Sequence, residues 1–160
     1  MPHPTPHGQA VSQPQPPTSV AAVSAKRRRT MQAVQSRDTK PELRVRRLLH
    51  AMGYRYQLHR RDLPGTPDIV FTRRKKVIFV HGCFWHGHDC KRGNRQPVRN
   101  AEYWKAKIAR NVERHWEQTA ELRELGWSVL TLWECELPEF DRSTRELVDF
   151  LGPASYLSGR

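Results

Sequence analysis

The stretch PDIVFTRRKKVIFVHGCFWHGHDC, residues 67–90, determines most of what the sequence predicts about the fold. It holds two short, mostly apolar runs, Asp68–Phe71 and Val77–Val80, and the charged residues Arg73–Lys76 lie between them. Short apolar runs bounded by charges are typical of buried strands. We therefore predict a hairpin of two buried strands, the second of which runs directly into a loop rich in histidine and cysteine.

The segments on either side of the hairpin add helices and two further strands. The predicted elements are a helix from Thr39 to Gly53, a strand over Tyr54–Leu58, a long helix from Asn100 to Gly126, a strand over Trp127–Trp133 and a helix over Ser143–Leu151. The order α, β, β, β, α, β, α predicts an α/β (α+β) fold in which helices pack on a small sheet.

The two longer helices carry start signals and apolar faces. Thr39 and Glu42 have the spacing of a capping box, in which each residue satisfies a backbone amide of the first turn. Asn100 is a candidate cap for the long helix. The apolar face predicted for this helix consists of residues that recur every four positions, namely Trp104, Ile108, Val112 and Trp116.

The ends of the chain differ in composition from its middle. Residues 1–25 hold no charged side chain and are rich in proline, so we predict a disordered leader. A basic run follows, made of Lys26, Arg27, Arg28 and Arg29, and we expect this arm, residues 26–38, to contact phosphates. The folded domain is predicted to span residues 26–152, and residues 153–160 to be frayed.

Charge and composition restrict the class of function. The 160 residues carry a net charge of +12, which is typical of proteins that bind a polyanion such as nucleic acid. No apolar run approaches the roughly 18 residues of a membrane-spanning helix. Prolines interrupt the place of a signal peptide, and 3 cysteines are too few for a disulfide framework. We expect a cytoplasmic protein with no membrane association.

The loop after the hairpin has the composition of a metal site. Three histidines and two cysteines fall within residues 81–90, and the third cysteine of the chain follows the strand that ends at Trp133. Tetrahedral zinc commonly takes three cysteines and one histidine, and four protein ligands make such a site structural. The predicted zinc ligands are Cys83, His88, Cys90 and Cys135. The alternative is a set of buried thiols beside solvent-facing histidines.

The remaining polar residues of the segment offer chemistry. His81 and His86 are left over from the zinc set, and a solvent-accessible imidazole beside a rigid loop can accept a proton from water, although local hydrogen bonding would also explain both. Asp68 opens a buried strand, where a carboxylate is costly unless it is paired or holds a cation such as Mg²⁺. The carbonyl of Val80 is a candidate second Mg²⁺ ligand. Glu42 is a further candidate, besides its capping role.

From about Lys26 to Glu136 the sequence resembles the very short patch repair (Vsr) endonucleases, which nick DNA at T:G mismatches. The segments that carry the resemblance are Met31–Val34, Ser36–Thr39, Leu63–Asp68, Val77–Cys90, Asn111–Arg114, Leu125–Trp127 and Trp133–Cys135. It implies a restriction-endonuclease-like fold with a central mixed sheet, a structural zinc and a Mg²⁺-dependent cut 5′ to the mismatched thymine. Double-stranded DNA with a T:G mismatch would be the substrate, mismatch-repair proteins are candidate partners, and we expect a monomer.

The resemblance also implies roles for individual residues. Asp68 resembles the metal-binding aspartate, His86 the general base and His81 a supporting histidine, and Glu42 aligns with a glutamate near the site. Aromatic residues that wedge into the duplex beside the mismatch have counterparts in Phe84, Trp85 and Trp104.

The sequence departs from related patterns in two places. Val80-His81-Gly82 stands where restriction-type nucleases usually carry an acidic residue and a lysine, and Val80 replaces a threonine of the family. A metal contact through the backbone carbonyl would tolerate that replacement. Two rival functions keep part of the pattern. A zinc module that only binds DNA needs neither Asp68 nor His86, and in a nuclease of the ββα-metal kind the histidine loop itself holds the catalytic ion.

Overall fold

The hairpin predicted from residues 67–90 lies at the centre of the sheet in the computed structural model, which describes residues 37–95, 97–138 and 140–154. Strand β2 (Ile69–Phe71) pairs antiparallel with β3 (Lys76–His81), and Ile69 lies opposite Ile78. The turn between them is one 3₁₀ turn followed by Lys75, whose φ of 52° lies in the left-handed region. The predicted hairpin of buried strands is confirmed.

One further strand lies on each side of the hairpin. Strand β1 (Gln57–Leu58) pairs antiparallel with β2, and β4 (Ser128–Trp133) pairs parallel with β3, so the order β1-β2-β3-β4 makes a mixed sheet. The strand predicted over Tyr54–Leu58 is shorter than expected, because only its last two residues pair, and Leu58 is exposed. The alternation predicted for the tyrosines is confirmed: Tyr54 is buried and Tyr56 half-buried, and both rings pack edge-on against Phe71.

Helices cover both faces of the sheet. They are α1 (Lys40–Ala51), α2 (Ala101–Glu124) and α3 (Phe140–Leu151). Apolar residues of α1 and α3 form one buried cluster with Ile69, Ile78 and Val80, whereas Leu122 of α2 packs with Val77 on the opposite face. Successive side chains of β3 therefore pack alternately into two cores, one on each face of the sheet, which is why its run of apolar residues is continuous.

Helix α2 departs from its prediction in two places, at its N-cap and at the last residue of the predicted apolar face. Asn100 occupies the N-cap position with a φ of 59°, and its side chain makes no capping hydrogen bond, so the predicted cap is wrong. Trp116 is 64% exposed. At about 100° per residue, 12 residues rotate the helix by roughly 120° beyond whole turns, so a strict spacing of four leaves the buried face, and His115 and Thr119 point inward instead.

The C-terminal part of the described chain is packed as far as Ala154. Helix α3 begins at Phe140, three residues before the predicted start, because Ser143 is buried within the helix and donates to the carbonyl of Glu136. Ala154, which the sequence assigned to the frayed tail, is buried. The leader and residues 155–160 lie outside the described residues. Within the described residues, no helix combines the length and apolar character needed to cross a membrane.

Candidate functional site

The parallel pairing of β3 and β4 brings the two cysteine-bearing loops together. His81 lies opposite Trp133 at the carboxyl ends of these strands, so the loops that follow them begin side by side. The ligand atoms of the four predicted zinc residues all lie within 4.8 Å of one another, and these residues are Cys83, His88, Cys90 and Cys135. Around a tetrahedral zinc, sulfur atoms about 2.3 Å from the metal are separated by about 3.8 Å, so the observed cluster has the size and the donors that zinc takes.

Backbone hydrogen bonds close the loop around these donors. The amide of His88 donates to the carbonyl of Cys83 at 3.0 Å, and the amide of Gly93 donates to Sγ of Cys90 at 3.3 Å. Burial raises the pKa of the Cys83 thiol to about 12, whereas the Gly93 N–H lowers that of Cys90 to about 6. A bound cation would favour the thiolate of Cys83 as well, so the donor set fits a metal that binds thiolates.

Asp68 lies at the entrance of β2 and is joined to the end of β3. Its Oδ2 accepts a hydrogen bond from the amide of Val80 at 2.8 Å. Burial is the largest influence on this carboxyl and raises its pKa to about 7. The Val80 amide and the Arg46 guanidinium oppose the rise, and the Glu42 carboxylate adds to it. Such a carboxylate is costly to ionise unless a cation shares the site.

Glu42 caps the first turn of α1 and lies close enough to Asp68 to act on it electrostatically. Its carboxylate accepts from the Thr39 hydroxyl at 2.9 Å and from the amide of Asp38 at 3.0 Å, so the reach-back bond goes to Asp38 rather than to the cap residue itself. The same buried side chain accepts from Arg46 at 2.9 Å and acts electrostatically on Asp68. It therefore caps α1, and together with Asp38 and Asp68 it surrounds His59; these three carboxylates are called the acidic corner.

His81 and His86 form a stacked pair at the end of β3. Their ring centroids are 3.6 Å apart with an 8° angle between planes, and burial lowers the pKa of His81 to about 2 and that of His86 to about 4. The expectation that both imidazoles are accessible to solvent is wrong for His81, which is buried, whereas His86 is half-buried. Both rings are neutral at pH 7, and Nδ1 of each is buried without a hydrogen-bond partner.

Two histidines of the site were missed by the sequence analysis. His115 of α2 lies edge-on to His81 with centroids 4.3 Å apart, and its Nε2 is 3.2 Å from the hydroxyl of Thr131. His59 lies between Arg46 and Asp68. A helical period of 3.6 residues in place of 4 would have predicted that His115 lies on the buried face of α2. Nothing in the local sequence marks His59, because its partners are distant in the chain.

The predicted wedge residues form a half-exposed aromatic group beside the zinc-ligand cluster. Phe84, Trp85 and Trp104 contact one another with centroids 5.2 to 5.8 Å apart, and the ammonium of Lys107 lies over both tryptophan rings. Tyr103, which the sequence analysis did not select, adds an exposed ring to this group. The basic run Lys26–Arg29 lies outside the described residues.

The two chemical centres share one end of β3. Asp68 is bonded to the amide of Val80, and the next residue, His81, stacks on His86. The structure thus places Asp68 beside Val80, with Glu42 close enough to act electrostatically on it, and the histidine pair begins at the next residue of the chain.

Comparisons with known proteins point to one family. A family model described as "DNA mismatch endonuclease Vsr" matches residues 21–92, which include most of the site. The chain is 49% identical to "Type II nicking enzyme V.XorIIP" of Xanthomonas oryzae pv. oryzae over 129 residues, 81% of this chain and 94% of that protein. It is 42% identical to "DNA mismatch endonuclease Vsr" of Escherichia coli over 122 residues, 76% of this chain and 78% of that protein. It is 39% identical to "Type II nicking enzyme V.NmeAIP" of Neisseria meningitidis over 133 residues, 79% and 94% of the two chains.

Proposed function

Because the chain belongs to the DNA mismatch endonuclease Vsr family, and is therefore a DNA endonuclease, we propose that it nicks one strand of duplex DNA 5′ to the thymine of a T:G mismatch. The excess of 28 Lys and Arg over 16 Asp and Glu supports a phosphate-rich substrate. We expect the protein to act on DNA in the cytoplasm, at the nucleoid.

The observation that carries this proposal is that Asp68 accepts from the amide of Val80 at the end of β3, one residue before His81, which stacks on His86. The residues that would hold Mg²⁺ are Asp68, through its carboxylate, and Val80, through its carbonyl. A Mg²⁺ ion held by these oxygens would supply positive charge to stabilise the charge that develops on the scissile phosphate. The protein's own contribution is to present these oxygens in a buried corner, where the Val80 amide fixes the second oxygen of Asp68.

His86 acts in this proposal as the general base. It is neutral at pH 7, so it can accept the proton of the attacking water as the water's oxygen approaches phosphorus. His81 stacks on its ring and restricts its orientation, which makes His81 a supporting residue. Glu42 fixes Arg46 in the acidic corner and adds negative charge near Asp68.

The zinc site and the aromatic group serve the recognition of the mismatch in this proposal. Four protein ligands leave zinc no open position, so Cys83, His88, Cys90 and Cys135 would stiffen the loop rather than react. The loop carries Phe84 and Trp85, and Asn111 of α2 holds it by donating to the carbonyl of Trp85 at 3.0 Å. Wedging aromatic rings between bases costs a few kcal/mol of unstacking, and less at a mismatch, where pairing is already weak. Trp104 and the basic arm Lys26–Arg29 would add contacts to the duplex.

A nicking assay on matched and T:G duplexes with Mg²⁺ tests the proposal. We expect cleavage of the T:G duplex only, and its loss in Asp68→Ala and His86→Ala variants that still bind DNA. His50→Ala, at an exposed histidine of α1, is the matched control and should cut normally. Undiminished cutting by Asp68→Ala would defeat the mechanism, and no cutting by the wild-type protein would favour a zinc module that only binds DNA.

Zinc content separates the remaining rival. A nuclease whose histidine loop holds the catalytic ion should contain no tightly held zinc after purification without chelator, and its Cys135→Ser variant should fold normally. The present proposal expects zinc in the wild-type protein and its loss in that variant.

A further inference from the structure

His59 occupies a backbone conformation that turns its side chain into the acidic corner. It follows β1 directly, and its φ of 46° lies in the left-handed region, which costs a residue with a Cβ about 1 kcal/mol. Its side chain is only 15% exposed. Strained backbone at a site residue is a reason to look for a role, because the rest of the fold must hold it in place.

Arg46 determines which ring nitrogen of His59 carries the hydrogen. Nη2 of Arg46 lies 2.8 Å from Nε2 of His59. A guanidinium donates hydrogen bonds and cannot accept them, so Nε2 of His59 must accept and the ring hydrogen must be on Nδ1. This Nδ1–H is directed away from Arg46.

The donor that remains on His59 faces Asp68. Nδ1 lies 3.9 Å from Oδ1 of Asp68, about 1 Å beyond the usual N–H···O distance, while Oδ2 already accepts from the Val80 amide. The two oxygens of this carboxylate therefore face different groups: Oδ2 is hydrogen-bonded to the Val80 amide, and Oδ1 faces Nδ1 of His59 from beyond hydrogen-bond distance.

Arg46 is itself held firmly, so the arrangement has little freedom. Its guanidinium donates to Oδ1 of Asp38 at 2.5 Å and to Oε2 of Glu42 at 2.9 Å, and both Arg46 and Glu42 are buried. Hydrogen bonds therefore run from the first turn of α1 through Arg46 to His59, and Nδ1 of His59 in turn faces Asp68.

We propose that His59 is a positioning residue for Asp68: held by Arg46 as the Nδ1–H tautomer, it orients the carboxylate that binds the metal. The inference rests on the proposed function in assigning the metal to Asp68. His59 does not touch the scissile phosphate in this role. Groups that orient metal ligands in this way typically change metal affinity by about 10-fold to 100-fold when they are removed.

The tautomer can be measured without DNA or Mg²⁺. In protein labelled with ¹⁵N at histidine, two-bond ¹H–¹⁵N correlations distinguish an unprotonated Nε2 from an unprotonated Nδ1, and comparison with His59→Gln assigns the signals. We expect the Nδ1–H form for His59 at pH 7. An Nε2–H form, or a doubly protonated ring, would overturn the inference.

Metal affinity tests the positioning role itself. His59→Leu removes both polar contacts, whereas the amide of His59→Gln can still accept from Arg46 and donate to Asp68. His50→Leu, at the exposed histidine of α1, is the control. We expect His59→Leu to raise the Mg²⁺ concentration for half-maximal nicking about 10-fold, and to raise the Mg²⁺ dissociation constant from calorimetry by the same factor. The KM for DNA should be unchanged. His59→Gln should recover most of the lost Mg²⁺ affinity.

The possible outcomes separate this inference from the proposed function. If Asp68→Ala still nicks, the assignment of the metal to Asp68 fails, and this inference fails with it even if the tautomer is as expected. If Asp68→Ala is inactive while His59→Leu binds Mg²⁺ like the wild-type protein, only the role of His59 is wrong. If His59→Leu and His59→Gln show the same decrease in melting temperature and the same decrease in Mg²⁺ affinity, His59 is merely structural and the inference is overturned.

Discussion

Replacing Asp68 with asparagine should abolish nicking and yet make the folded protein more stable. Burial raises the pKa of this carboxyl from 3.8 to about 7, so holding it ionised at neutral pH works against folding. Asparagine has nearly the same shape, its amide oxygen can still accept from the Val80 N–H, and it has no charge to desolvate. The residue proposed to bind the metal is therefore one that the fold alone would not select.

The magnitude follows from the size of the shift. A change of about 3 pKa units, at about 1.36 kcal/mol per unit, amounts to about 4 kcal/mol above pH 7. The asparagine N–H groups replace an acceptor in a buried position and cost about 1 to 3 kcal/mol if they lack partners. We expect a net gain of about 1 to 3 kcal/mol in the free energy of unfolding at pH 8.

The sign of the pH dependence is fixed by the direction of the shift. Between pH 3.8 and about 7 the folded protein keeps the proton on Asp68 while the unfolded chain has lost it, so this group's contribution to wild-type stability declines as pH rises through that window. The asparagine variant has no such decline. Its advantage over the wild-type protein should therefore widen by about 2 kcal/mol between pH 5.5 and pH 8.

Urea denaturation at the two pH values, with no added Mg²⁺ and no chelator, measures this difference. Asp62→Asn is the control, because Asp62 is an exposed carboxylate whose pKa is lowered by Arg60, and it should bring no gain. Added Mg²⁺ should stabilise the wild-type protein and leave Asp68→Asn unchanged. A variant that is less stable than the wild-type protein at pH 8, or equally favoured at both pH values, would refute the reasoning.

Three further predictions concern the loop and its aromatic group. Trp85→Ala should weaken binding to a mismatched duplex about 10-fold, which lies within the roughly 1 to 3 kcal/mol contributed by one stacked base. Trp116→Ala, at a tryptophan of α2 that is 64% exposed, is the control and should bind normally. Equal losses of affinity in a binding titration would argue against the wedge. Gly93→Ala should lower the melting temperature more than Gly126→Ala, because a Cβ at Gly93 would lie 1.8 Å from a backbone carbonyl oxygen. At Gly126 nothing lies within 4 Å of the added Cβ, and only the φ of 80° is strained. A larger drop in melting temperature for Gly126→Ala would contradict the packing. Cys135→Ser should remove zinc and several kcal/mol of stability, and an unchanged zinc content by elemental analysis would exclude Cys135 from the ligand set.

Local patterns in the sequence were sufficient for the hairpin and for the clustering of the four residues predicted to bind zinc. Apolar runs bounded by charges predicted β2 and β3, because burial on both faces of a strand leaves a continuous apolar signature. The density of cysteines and histidines within residues 81–90 was sufficient to predict a metal site there. Cys135 was included by the argument that its strand could return beside the loop, and the parallel register of β3 and β4 places it there.

Periodicity was less reliable where the spacing only approximated a helical turn. The run from Trp104 to Trp116 fitted a spacing of four, but the helix turns every 3.6 residues, so its later positions rotate away from the core. Trp116 is exposed as a result, and His115, its neighbour, faces the histidine pair. The identity of the residues suggested burial, and the geometry of the helix decided otherwise.

The sequence alone determined the chemical composition of this site: a carboxylate before a buried strand, imidazoles after the next strand, and thiols around them. Only the tertiary structure decided which groups control one another. His59 and Arg46 are 13 residues apart, and a single left-handed residue turns the imidazole toward Asp68. Likewise, the raised pKa of Asp68 arises from burial by elements distant in the chain. Residue types are local information, whereas burial and hydrogen-bond partners depend on how the whole chain packs.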